Sequence, residues 1–268
     1  MTTAATGRLD KPRRKHRVSR VNPYQIGRWV LSILIFFMAW EIVGRSGVLF
    51  AIKPPSEVLP ALRDELASGE ILAATVGTLQ VAFLAFVIGA LFGIPVGTLS
   101  GVSVRWASVI DPLVGAGWAV PIVMFVPIIS IYAGFDLLGK VFLTLLMNVF
   151  VIIVNTSTGV REVPFELKEM ARAFGISKRQ MYRKVIFPWA GPYILTGLRL
   201  GLGRSVQGAI LADLFLRADN LGLYIVNAAS SFQLEILLAA VFFVTLVAAG
   251  LMLVARFFEW WLLRWKVG

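Results

Sequence analysis

A chain of 268 residues that is 58% hydrophobic and 15% charged, with a mean hydropathy of +0.80, is too apolar for a water-soluble domain of ordinary make-up. It has no cysteine, which excludes disulfides, thiolate zinc sites and iron–sulfur clusters, and its one histidine, His16, leaves no histidine-based triad or metal cluster. The net charge of +11 raises nucleic acid as a partner, but the distribution of that charge along the chain answers to a membrane instead.

Residues 1–22 form a polar tail in which Lys11, Arg13, Arg14, Lys15, Arg17 and Arg20 cluster, the composition of a disordered segment. Six hydrophobic stretches follow, at 26–43, 72–99, 106–133, 141–160, 193–216 and 236–254. Each reaches the roughly 17–25 residues that a helix needs to cross a bilayer. The first lacks a small-x-small cleavage site and reads as an uncleaved anchor. The third contains Pro112, Pro121 and Pro127, which predict a kinked or broken span. With the N-terminus inside, 19 of the 26 lysines and arginines fall on the cytoplasmic side, so the basic character follows from topology without nucleic acid. Outside, Ser56 is positioned to cap a short helix bearing Val58, Leu62 and Leu66, and residues 221–232 suggest a second amphipathic piece. Trp260, Trp261 and Trp265 read as an interfacial anchor after the last span.

The interval between the fourth and fifth stretches, 161–188, is strongly charged. Leu167, Met170, Ala171 and Phe174 share one face of a helix, for which Pro164 and Glu166 suit the first turn. Gly175 can end that helix in the left-handed conformation, Ser177 with Gln180 forms a capping box for a second helix, and Pro188 is predicted to close it. A DNA-binding helix-turn-helix has similar small and turn residues, but only about 27 residues lie between two membrane-bound ends, too few to add the third helix and reach a groove. A hairpin lying on the membrane surface is the plainer alternative.

The run Glu169-Met170-Ala171, three residues, Gly175, nine residues, then Val185-Ile186-Phe187-Pro188 resembles the EAA loop of permease subunits of binding-protein-dependent ABC importers. Trp40-Glu41, Pro54-Pro55-Ser56-Glu57-Val58, Thr78-Leu79, Thr196-Gly197-Leu198-Arg199 and Leu221-Gly222-Leu223 are similar to the sulfonate, nitrate and taurine branch, in which Asp213 stands where Glu is common. The resemblance implies that the loop docks on a cytosolic ATPase. Leu167, Met170, Ala171 and Phe174 would fill its groove or brace the loop, Glu169 and Arg172 would make polar contacts, Gly175 the turn, and Pro188 would end the motif.

Thr144, Asn148, Asn155 and Thr158 lie on one face of the fourth stretch, and such a stripe must face protein or water. On the fifth, Arg204 and Gln207 share a face, with Arg199 about a turn and a half away. Intramembrane arginine marks a candidate functional site, and the resemblance implies a translocation path for an anion such as a sulfonate, taurine or nitrate; the alternative is arginine satisfied by carbonyls or a partner. Gly89, Gly93 and Gly97, and Gly197, Gly201, Ser205 and Ala209, recur every fourth residue and predict close helix packing.

The expectation is an all-α polytopic membrane protein with six transmembrane helices and a cytoplasmic coupling-helix loop, the type I permease fold of ABC importers. Residues 23–268 would form one permease domain behind the tail 1–22. It would be a transport subunit rather than an enzyme, with no cofactor or metal. Its expected partners are two ATPase subunits, an extracytoplasmic solute-binding protein, a second permease copy and membrane lipid, with no nucleic acid. It would sit in a bacterial cell membrane with both termini cytoplasmic. An ion-gradient-driven secondary transporter is the alternative, although Asp213 alone is a deep acidic group; a membrane-embedded enzyme has still fewer residues to work with.

Overall fold

The computed structural model describes residues 23–216 and 220–264, and every regular element among them is helical. The elements are α1 (Pro23–Arg45), α2 (Pro55–Ser68), α3 (Glu70–Val102), α4 (Val104–Ala119), a 3-10 turn (Ile122–Phe125), α5 (Val126–Tyr132), α6 (Leu137–Arg161), α7 (Phe165–Ala173), α8 (Lys178–Met181), α9 (Phe187–Phe215), α10 (Leu221–Ser230) and α11 (Leu234–Leu263). The basic tail, Arg217 and Trp265 lie outside the described residues.

The centre is α6, packed between α3 and α9. The small-residue stripes are what let the three helices approach. A Cβ on Gly93 of α3 would lie 2.8 Å from Ile152, and one on Gly201 of α9 would meet the same side chain at 2.8 Å. Ile152 has no exposed surface, so neither side has room to give. Replacing Gly93 by leucine therefore overpacks the bundle and destabilises it by about 1–3 kcal/mol. Thermal unfolding in detergent should show an earlier transition than for Gly27→Leu, whose Cβ meets nothing within 4 Å.

All six apolar stretches are helical. Among the described residues α1 from Gly27, α3, α6 and α11 are each long and apolar enough to cross a bilayer, and α4 with Ile122–Tyr132 forms a pair bent by 94°. The break falls at Pro121, which pushes Val120 into extended backbone (ψ 127°). Pro112, by contrast, stays inside α4, and Pro127 sits harmlessly in the first turn of α5. Helix α9 has 29 residues, roughly 43 Å, enough to cross, and its lower hydropathy reflects Arg199, Arg204, Gln207 and Asp213 within it. Six crossings follow when the bent pair counts as one and α9 as another.

At the end of the bundle far from α7, the connecting segments are bolted to the spans. Trp40 Nε1 donates to the Lys53 carbonyl at 2.9 Å. The Glu41 carboxylate accepts from the Ser56 N–H (3.1 Å) and hydroxyl (2.7 Å), so α1 adds its negative charge to that of Glu57 at the start of α2. The expected cap is corrected accordingly: Pro54 is the N-cap with no side-chain bond, Pro55 opens the helix, and the Ser56 hydroxyl points to Glu41. Val58 and Leu62 are buried as expected, with Leu66 packed against the same cluster. Tyr224 of α10 donates to Glu65 of α2 at 2.5 Å; burial and that carboxylate raise the phenol above its ordinary pKa and keep it protonated.

Beneath them lies a buried polar cluster. Asp213 near the end of α9, with no exposed surface, accepts from Thr78 of α3 (2.6 Å) and from Asn220 (3.1 Å), and faces Lys140 of α6 at 3.7 Å. The Leu221 N–H donates to Thr78 Oγ1 at 3.2 Å, which anchors α10. Lys140 lies in the first turn of α6 and is 8% exposed.

Candidate functional site

The segment between α6 and α9 folds as its residues dictate. Helix α7 starts after Pro164 and carries Glu166 in its first turn. Gly175 ends it at φ +68°, a conformation that costs a residue with Cβ roughly 1–2 kcal/mol. Ser177 and Gln180 form a full capping box: the Gln180 N–H donates to the Ser177 hydroxyl (3.3 Å) and the Ser177 N–H to the Gln180 side-chain oxygen (2.8 Å). Pro188 does not close α8. A π turn at Tyr182–Ile186 joins α8 to α9, and Pro188 sits in the first turn of α9, just past the wider turn.

The four residues of the apolar face divide. Leu167 packs on the buried cluster of Val160, Val163, Ile186 and Ala190 at the roots of α6 and α9, and Ala171 is half-buried. Met170 (55% exposed) and Phe174 (79%) are open, as is Phe165 (62%). Glu169 and Arg172 are exposed and make no side-chain hydrogen bond or ion pair among the described residues. One side of α7 therefore braces the spans while the other presents two large apolar side chains beside an unpaired anion and cation. The arrangement suits capture by another protein.

The intramembrane polar residues also separate. Thr144 and Asn148 have no exposed surface: the Thr144 hydroxyl donates to the Lys140 carbonyl (2.7 Å) and Asn148 Nδ2 to Ser205 of α9 (2.8 Å). They hold the α6–α9 seam and line none of the cavities that Trp118 borders. Arg199 is paired with Glu259 of α11 at 2.8 Å, and Thr196 donates to the same carboxylate. Its charge is neutralised within the chain, away from the other arginine.

Asn155, Arg204 and Gln207 do come together. They line a cavity of about 610 Å³, walled by Trp118 of α4 and by Val244, Ala248 and Met252 of α11. Arg204 makes one long hydrogen bond, 3.4 Å to Gln207, and keeps most of its donors free. Trp118 also borders two smaller cavities. Nothing in its sequence surroundings marks it out, since one tryptophan in an apolar run carries no spacing signal.

A model describing the binding-protein-dependent transport system inner membrane component matches residues 89–266, the stretch that holds α7, its glycine turn and the cavity. The chain belongs to that family. The permease is 31% identical over 248 residues to the bicarbonate transport system permease protein of Synechococcus elongatus, covering 87% of this chain and 88% of the relative. It is 30% identical to the riboflavin transport system permease protein of Chloroflexus aurantiacus (93% and 96% covered) and 29% identical to the taurine transport system permease protein of Escherichia coli K12 (82% and 86%). Its fold is that of a solved methionine ABC transporter in inward-facing conformations, at TM-score 0.63 and 18% identity over 71% of this chain and 94% of that one. The permease is thus the multi-pass bacterial membrane subunit of an ABC importer, ATP hydrolysis residing on a separate subunit, which sets aside the ion-gradient alternative. An ATPase and a solute-binding protein are its partners by family.

Proposed function

We propose that the permease works as two copies, with both termini cytoplasmic, each offering its 161–188 segment to one of two ATPase subunits. An extracytoplasmic binding protein would deliver a small anion to the cavity at Asn155, Arg204 and Gln207. Residues 23–268 act as one unit in lipid behind the cytoplasmic tail 1–22. The observation that carries this reading is α7, rooted through Leu167 yet leaving Met170, Phe174, Glu169 and Arg172 uncovered. The bias of 19 of 26 basic residues to one side supports the orientation. A cation with unfilled donors in a membrane cavity supports an anionic cargo, as do relatives named for bicarbonate and taurine transport.

The test is uptake into proteoliposomes holding the permease, its ATPase and its binding protein. Uptake should need ATP and resist an uncoupler; the reverse pattern contradicts the reading. Arg204→Gln should lower anion uptake by about tenfold or more, with Arg204→Lys less impaired because it keeps the charge but loses the planar fork.

A further inference from the structure

We infer that Asp111, Arg161 and Ser100 form the joint through which the α7 segment holds and moves α4, making Asp111 a positioning residue for transport; the inference rests on the proposal that α7 is gripped by an ATPase. Arg161 is the last residue of α6, and only 162–164 separate it from α7. Its Nη2 reaches both carboxylate oxygens of Asp111, at 2.9 and 2.7 Å, and the Ser100 hydroxyl oxygen at 2.7 Å. Ser100 in turn donates to Asp111 Oδ1 at 2.7 Å, so the ends of α3 and α6 converge on one carboxylate of α4.

Little else fastens α4. Val114 is its only buried residue, and the 94° break at Pro121 turns the rest of that span away from its axis. Between α4 and α6 lies a cavity of about 410 Å³, with Asp111 and Arg161 on its wall at one end and Trp118 at the other. Trp118 borders this cavity as well as the one that holds Arg204. A tilt of α4 would therefore carry Trp118 out from between the two and connect them. Each partner of the ion pair is 44% exposed, so water screens the charges, and the joint depends on the Ser100 hydroxyl, which bonds to both partners, as well as on the ion pair. A displacement of α7 pulls on Arg161, and Arg161 pulls on Asp111.

The experiment uses the reconstituted complex with ATPase and binding protein. With Asp111→Asn, assembly and ATP hydrolysis should persist while solute taken up per ATP falls about tenfold, within the range of ordinary coupling energies. Asp111→Glu, which restores the charge, should recover most of the loss. Because the chain has no cysteine, spin labels can be placed at Ser108→Cys in α4 and Glu166→Cys in α7, both exposed. Their separation should be the same in nucleotide-free and nucleotide-trapped complexes, and should divide into two populations once Asp111→Asn is added. Unchanged uptake per ATP in Asp111→Asn, or a separation that already changes between states with Asp111 intact, overturns the inference alone. An unaltered complex with no ATP-driven uptake overturns the coupling proposal beneath it.

Discussion

Substituting proline for Gly175 should abolish ATP-driven uptake while leaving the amount of membrane-inserted permease unchanged. Gly175 holds φ at +68°, and proline is confined to about −65°. The Gly175 N–H also donates to the Arg172 carbonyl at 2.9 Å, a bond that proline cannot make. The turn cannot survive, so α7 is re-aimed relative to α8, and the exposed Met170 and Phe174 are turned away from the direction in which the proposed ATPase contact needs them. The spans are spared because the contacts that hold α3, α6 and α9 lie along their own lengths. Glu169→Arg should have the same effect by a different route, since it alters no backbone and only reverses one exposed charge. Immunoblots of washed membranes beside uptake rates check both; normal uptake by both variants would remove the role assigned to α7.

The largest loss of stability should come from Asp213→Ala. That change leaves Lys140 at 8% exposure without its counter-charge and takes the acceptor away from Thr78 and Asn220. Breaking a buried pair from one side costs about 3–5 kcal/mol. The double variant Asp213→Asn with Lys140→Met should be less damaged than either Asp213→Ala or Lys140→Ala, because no uncompensated charge remains. Thermal unfolding in a fixed detergent reads the order of the transitions, and a double variant that unfolds earlier than both single alanine variants contradicts the pairing.

How far the sequence could be read depended on how far apart the interacting residues are in the chain. Gly175, Ser177 and Gln180 were legible because turn and cap chemistry is settled within a few residues. The glycine stripes were legible because a four-residue spacing is a surface property of one helix. Pro188 was misread because a π turn, whose Ile186 packs against Val160 and Val163 at the end of α6, carries the helix on to it. The assignment of Ser56 as a cap failed because its acceptor, Glu41, sits in another helix.

Asp213 is the clearest case of a residue that could be singled out but not explained. Its partners come from α3, α6 and the start of α10, and only the folded bundle brings them together. Several residues that carried the family resemblance turn out to be such bolts between elements: Trp40, Glu41, Ser56, Thr78, Thr196 and Arg199 each bond to a residue outside their own helix. Arg199 and Arg204 looked equivalent in the sequence, and Glu259 on α11 is what separates them.

The most direct test of the account places one cysteine at Phe174 in this otherwise cysteine-free chain and probes it with a membrane-impermeant maleimide. Labelling should occur in inside-out vesicles stripped of the ATPase, fall when the ATPase is bound, and be absent in right-side-out vesicles. Labelling of right-side-out vesicles, or labelling indifferent to the bound ATPase, would contradict it.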